Sequence, residues 1–205
     1  KEKKNHVIKA LNIDIPAGSS ISIECSNEIS DLLVDLILGR EIPAKGEIEL
    51  EGIKNKKYLG KYRNHIGVIF REDALYEKET IEDYIRFFAR ILNAKVDYKE
   101  ILLKLALLDI ADTKIKDLSY SQKRRLSLAR ERLKQPKLLI FQEPILNMDG
   151  DGRQIIIENI EELCAGGTAV MITSVLFKDT ILLGERTYRY AEGSVVELEH
   201  PTEEQ

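Results

Sequence analysis

Two runs, Leu138-Leu139-Ile140-Phe141 and Ala169-Val170-Met171-Ile172-Thr173, constrain this chain more than any other feature. A strand with one wet face alternates apolar and polar residues, whereas an almost unbroken apolar run predicts a strand buried on both faces. A helix is predicted between them, from about Asp151 to Leu163, closed by Gly166-Gly167. Further strands are predicted at Thr187–Tyr190 and Gly193–Leu198. At the other end, Ile8 to Ile23 alternates through Leu11, Ile13 and Ile15, turns at Pro16-Ala17-Gly18, and resumes with Ile21 and Ile23. That pattern predicts two strands joined by a tight connection. Asn27 is placed to cap a following helix, with Leu32, Leu33, Leu36 and Ile37 on one face. Short strands are predicted within Lys45–Gly52 and at Ile66–Phe70.

From Thr80 the period becomes helical. Thr80-Ile81-Glu82-Asp83 has the form of a capping box and opens an amphipathic helix through Leu92. A second helix is predicted over about Lys99–Leu108. Ser119-Tyr120-Ser121-Gln122 is a stronger capping box, opening a third helix with Leu126, Ala129 and Leu133 inward. The outer face of that helix is expected to carry Lys123, Arg124, Arg125, Arg130, Arg132 and Lys134. Strands at both ends around a helical middle predict an α/β core with a helical insertion.

A hydrophobic share of 43% in 205 residues is ample for a real core, in one domain or one with an inserted subdomain. With 31 basic and 35 acidic groups the net charge is −4, which argues against a general nucleic-acid binder. Cys25 and Cys164 fit no metal or redox spacing, so a reducing cytoplasm is expected. His6, His65 and His200 are scattered, so no metal site is expected, and no apolar run approaches the ~18 residues of a membrane span. No signal peptide is expected. The chain starts at Lys1 and stops after the polar Glu199–Gln205; both ends are expected to be cut points in a longer protein.

The segment from Gly18 to Gly39 sits where a phosphate-binding loop would be. Such a loop needs glycines, so that backbone N–H groups can wrap phosphates, and a lysine followed by Ser or Thr. Between Ile23 and Leu32 there is neither glycine nor lysine, but there are three carboxylates: Glu24, Glu28 and Asp31.

Leu118-Ser119-Tyr120-Ser121-Gln122-Lys123-Arg124-Arg125-Leu126-Ser127-Leu128-Ala129-Arg130, then Pro136–Pro144 and Asn147-Met148-Asp149, resemble the nucleotide-binding domain of ABC transporters. The resemblance extends to Ala10-Leu11, Pro16-Ala17-Gly18, Gly46–Gly52, Ile66–Tyr76, Thr80–Phe88, Leu107–Ala111 and Gly167-Thr168, and so covers nearly the whole chain. It implies a P-loop NTPase-like α/β domain over 1–205, with an N-terminal antiparallel β part. The core would occupy about 1–71 and 136–198, a helical subdomain about 72–135, and a tail or linker 199–205.

Against that family the scaffold matches and the nucleotide contacts do not. Counted back from the helix, Ser30 stands at the family's lysine and Asp31 at its Ser/Thr, with Ser26 and Asn27 in the loop before them. Arg71 stands at the metal-positioning glutamine, Gln142 at the magnesium-supporting aspartate, and Val175 at the histidine after the second buried strand. Tyr120 and Ser121 replace the two signature glycines between Ser119 and Gln122. Glu143 matches the general base and Asp149 the dimer-loop aspartate. These losses imply a pseudo-ATPase, with no cofactor expected and ATP or Mg²⁺ bound only through residual affinity; a lost oxyanion-type contact alone costs roughly 3–4 kcal/mol.

Each residue also has a plainer reading. Glu143 can serve as a base or tie loop backbone; Ser119 and Gln122 can touch a partner's nucleotide or only cap their helix. The basic helix face can bind acidic lipid, nucleic acid or a partner, or simply be solvated. Tyr76, Phe87 and Phe88 can meet a membrane subunit, as this region does in the family, or in part be core. His6 lies near the family's adenine-stacking position or is merely an exposed terminal residue.

Two readings of function follow. In the first, the domain regulates through protein contacts, including self-association, with Glu24, Glu28 and Asp31 facing Lys123–Arg125 of a second copy. Some regulators that resemble this chain carry such a domain ahead of a LytTR-type DNA-binding domain; DNA would then be reached only through a domain beyond residue 205. In the second, the chain is an energy-coupling ATP-binding subunit beside a competent partner and a membrane permease, peripheral at the inner membrane face.

Overall fold

The computed structural model describes residues 8–9, 11–55 and 59–198. His6, Ala10, His200 and the Glu199–Gln205 tail lie outside the described residues. A six-stranded sheet runs in the order β4 (Ile66–Ile69), β5 (Leu138–Gln142), β6 (Ala169–Ser174), β1 (Ser20–Glu24), β7 (Arg186–Ala191), β8 (Ser194–Leu198). Its first five strands are parallel and β8 closes the end antiparallel to β7. A separate antiparallel hairpin pairs β2 (Glu49–Leu50) with β3 (Ile53–Lys54).

The two apolar runs are β5 and β6, and every residue of both is buried. Because side chains alternate across a strand, the two faces draw on different residues. Leu139, Phe141, Val170 and Ile172 pack with α3 (Ile81–Ile91), α4 (Tyr98–Lys104), α5 (Tyr120–Arg132) and α6 (Gly150–Ala165). Leu138, Ile140 and Met171 pack with Ile21 and Ile23 of β1, with α1 (Asn27–Ile37) and with Tyr62 of α2 (Leu59–Asn64). α7 (Phe177–Leu183), which the sequence reading did not find, packs beside β1 and β6.

The expected α/β class with helices in the middle is the one observed. Three local expectations change. Residues 8–9 and 11–15 form no strand, so the alternation there is not a sheet pattern. The antiparallel part ahead of β4 is the β2–β3 hairpin instead. The helix expected over Lys99–Leu108 stops at Lys104, and Leu108–Ile110 forms a 3₁₀ turn.

The basic outer face of α5 is the largest correction. Arg124 and Arg125 are 0% and 8% exposed, not outward. Arg130 and Arg132 are partly buried as well, which leaves Lys123 and Lys134 nearer the surface. The expected pairing of Lys123–Arg125 with the acidic loop of another copy therefore loses both arginines. Arg125 instead donates from Nη1 to the carbonyls of Leu105 (2.7 Å) and Ala106 (3.2 Å).

Candidate functional site

In open α/β sheets ligands sit outside the carboxyl ends of the strands. At that edge stand Cys25 after β1, Phe70 and Arg71 after β4, Gln142 and Glu143 at the end of β5, and Thr173 to Val175 at the end of β6. The sequence-derived residues Ser30, Asp31, Arg71 and Gln142 converge here into one hydrogen-bonded network.

Its first part is the start of α1. A G-x-x-x-x-G-K-[ST] loop counted back from Ser30 would begin at Glu24. Here β1 ends at Glu24 and α1 already begins at Asn27, with Ser26 as its N-cap. The Ser30 amide donates to the Ser26 carbonyl at 2.9 Å, an ordinary helical bond. The later part of the would-be loop is therefore helix, as expected where no glycine breaks the run. Asn27 is the first helical residue and not the cap, and the Ser26 side chain makes no capping bond.

Asp31 is the second part. Arg71 donates to it through both guanidinium ends, Nη1 to Oδ1 at 2.8 Å and Nη2 to Oδ2 at 2.9 Å. Gln142 Nε2 adds a bond to Asp31 Oδ1 at 2.9 Å and another to Ser30 Oγ at 2.7 Å. Ser30 Oγ in turn lies 2.7 Å from Thr173 Oγ1. Arg71 also donates to the Asn27 carbonyl at 3.3 Å, and its own amide donates to Gln142 Oε1 at 3.3 Å. The Arg71 hydrogen bonds hold the Asp31 carboxyl below its ordinary range, against a smaller opposing effect of burial. The repulsive carboxylate expected at this position is thus neutralised from within.

Glu143 is buried and has a positive φ of 47°. Its carboxylate accepts from Ser174 Oγ at 2.8 Å and from the Val175 amide at 2.7 Å. Burial raises its pKa, and those two bonds partly offset the rise. Val175 therefore contributes a backbone donor even though its side chain cannot hydrogen-bond. The bonds join the ends of β5 and β6, the plainer of the two roles weighed for Glu143.

At α5 the capping box forms as read. Gln122 N donates to Ser119 Oγ at 3.2 Å and Ser119 N donates to Gln122 Oε1 at 2.8 Å. Tyr120 is 42% exposed. Ser121 is buried against Gly152, where an added Cβ would fall 1.9 Å from the serine oxygen. Asp149 caps α6, accepting from the Gly152 amide at 2.6 Å.

The spacing of motifs gave no sign of Arg124 at the centre of this edge. Arg124 donates to the Phe70 carbonyl (2.6 Å), Asp73 Oδ1 (3.0 Å), and the carbonyls of Gln142 (2.6 Å) and Glu143 (3.3 Å). It ties the segment after β4 to the end of β5 and stacks 5.0 Å from the Phe141 ring centroid. Ser127 Oγ also donates to Asp73, at 2.5 Å. Away from the edge, Tyr76, Tyr84, Phe87 and Phe88 form an aromatic cluster in which Tyr76 and Phe87 are exposed. Among the described residues no group of three or more His, Cys, Asp or Glu could hold a metal ion. None of their helices is long and apolar enough to cross a membrane.

Residues 31–146 match the ABC transporter family. The chain is 30% identical over 188 residues to Nod factor export ATP-binding protein I of Rhizobium meliloti, covering 88% of this chain and 56% of that protein. It is 25% identical to linearmycin resistance ATP-binding protein LnrL of Bacillus subtilis, covering 95% and 65% respectively. It therefore spans from just over half to about two thirds of the length of these relatives. Among solved structures, a dimeric ATP-binding cassette in a post-hydrolysis state with ADP and Pi superposes with a TM-score of 0.81 at 21% identity. That superposition covers 98% of this chain and 95% of the other.

Proposed function

Because the chain belongs to the ABC transporter family, we propose that it occupies the place of an ATP-binding subunit in a protein assembly without hydrolysing ATP itself. One observation carries this reading: the Asp31 carboxylate, held by Arg71 and Gln142, lies where a phosphate loop would present its hydroxyl, next to Ser30 in place of the lysine. A triphosphate there would meet Ser30 instead of a lysine and the Asp31 carboxylate instead of a hydroxyl. Gln142 offers a neutral amide where magnesium needs a carboxylate, and its side chain is committed to Ser30, Asp31 and Arg71. The residues present do not fit Mg·ATP. Phosphoryl transfer rests on positioning and charge neutralisation, and here the Arg71 guanidinium is already committed to Asp31.

What the chain offers instead is surface. The exposed Tyr76 and Phe87 give a partner an aromatic face held by the cluster beneath it. The relatives named above are export and resistance ATP-binding proteins, which favours a transporter setting with a permease over attachment to a LytTR-type DNA-binding domain. Those names also support a second reading, an energy-coupling subunit that does bind ATP beside a competent partner.

Calorimetry with Mg·ATP and a phosphate-release assay on the purified chain separate the two. The proposal expects no heat of binding at millimolar ATP and no release above that of Glu143→Gln. Turnover by the wild type that Glu143→Gln abolishes would establish the second reading in its place.

A further inference from the structure

We infer that the network at the strand ends is an oxyanion site occupied by the chain's own carboxylate, with Asp31 as an internal competitor for any external anion. The inference deepens the silent-subunit reading and rests on it. Three donors converge on the one carboxylate: Arg71 Nη1, Arg71 Nη2 and Gln142 Nε2, at 2.8, 2.9 and 2.9 Å. A planar guanidinium fork of this kind serves carboxylate and phosphate alike.

The donors also have bonds that do not involve Asp31. Arg71 is anchored by its amide on Gln142 Oε1 and by its guanidinium on the Asn27 carbonyl. Gln142 is buried, with the other hydrogen of its amide donated to Ser30. Behind them Arg124 grips the carbonyls of Phe70 and Gln142, the residues that begin and end this corner. The occupant differs from its donors: the Asp31 side chain is 50% exposed while that of Arg71 is 29% exposed. Removing the carboxylate opens the donors to water without opening the core. The site that results takes a small tetrahedral or planar oxyanion, and owes nothing to a glycine-rich loop.

Inorganic phosphate is the probe, titrated by calorimetry and by thermal shift into wild type, Asp31→Ala, Asp31→Ser and Asp31→Ala/Arg71→Ala. Phosphate should bind and stabilise both single variants and leave wild type unmoved. Loss of charge-assisted bonds should weaken binding to the double variant by about tenfold to a hundredfold. Folded single variants blind to phosphate would overturn the inference, as would wild type binding as tightly as Asp31→Ala. A double variant that binds like Asp31→Ala would remove Arg71 as the donor and overturn it equally. Collapse of both single variants would also end it, because a carboxylate that only fills an anion site is dispensable to folding. Mg·ATP turnover by the wild type, measured in parallel, would defeat the silent-subunit reading separately from any of these results.

Discussion

The starts of α1 and α5 differ in what has become of them. Both are helix N-termini that, in the family this chain resembles, are tied to nucleotide binding. At α5 the local chemistry is kept: Ser119 and Gln122 cap each other, and the helix begins where the motif says it should. At α1 the loop has been drawn into the helix, the cap makes no side-chain bond, and Asp31 is clasped by a residue forty positions away. A helix cap is satisfied by residues within one turn, so it survives without a ligand. The start of α1 has no such local partner and is held from outside the helix by Arg71 and Gln142. The lesson is that a cap whose partners lie within one turn forms from its own residues, whereas the start of α1 is fixed by a partner across the sheet edge.

The largest effect is expected at Arg124, which ties α5 to Phe70, Asp73 and the end of β5. Arg124→Ala would leave the Asp73 carboxylate, 8% exposed, without its cation, and the Phe70 and Gln142 carbonyls without their donor. Breaking a buried pair in this way costs roughly 3–5 kcal/mol. For a chain of this size that is a fall in Tm on the order of 10 °C, read by thermal denaturation. A fall of only a degree or two would mean that the corners are not joined through this residue.

A smaller effect isolates the α5 cap. Ser119→Ala should cost about 1 kcal/mol of stability, visible as a shifted urea midpoint at unchanged m-value. Because the cap is reciprocal, Gln122→Ala should cost a similar amount and the double variant less than the sum. Full additivity would mean the two bonds are independent and the box is one in name alone.

These two sites also mark what the sequence makes legible. The cap at Ser119 and that at Thr80, which accepts from the Asp83 amide at 3.1 Å, were legible because every participant lies within four residues. The buried strands were legible because burial on both faces leaves a run without polar breaks. The burial of Arg124 and Arg125 was not legible. Cations cover α5 outside its Leu126, Ala129 and Leu133 stripe, and what buries two of them are Asp73 and carbonyls of Phe70, Leu105 and Gln142, all outside the helix. The same holds at the strand ends. The loss of glycine and lysine was plain in the sequence, and the pairing of Asp31 with Arg71 across the sheet edge was not. The expectation of a strand over the described residues 8–9 and 11–15 failed because alternation alone does not form a ladder of paired residues.

The smallest effect tests whether Asp31 and Arg71 clasp in solution. The folded state holds the Asp31 carboxyl below its ordinary value of 3.8. Such a group contributes stability that is present above the unfolded pKa and disappears as pH falls through the folded one. Wild type should therefore exceed Arg71→Ala by a constant margin from neutral pH down to about pH 5. The margin should close below the ordinary value, where the carboxyl protonates and Arg71 holds a neutral group. Because the Asp31 side chain is half exposed, solvent screening keeps the margin within about 1 kcal/mol, and added salt should shrink it further. Glu143 and Glu72 also feel the Arg71 charge, so Asp31→Asn must flatten the same acid limb for the assignment to hold. A margin that persists at pH 2, or one that Asp31→Asn leaves intact, would place the acid-sensitive contact elsewhere and leave the start of α1 held by Gln142 and Ser30 alone.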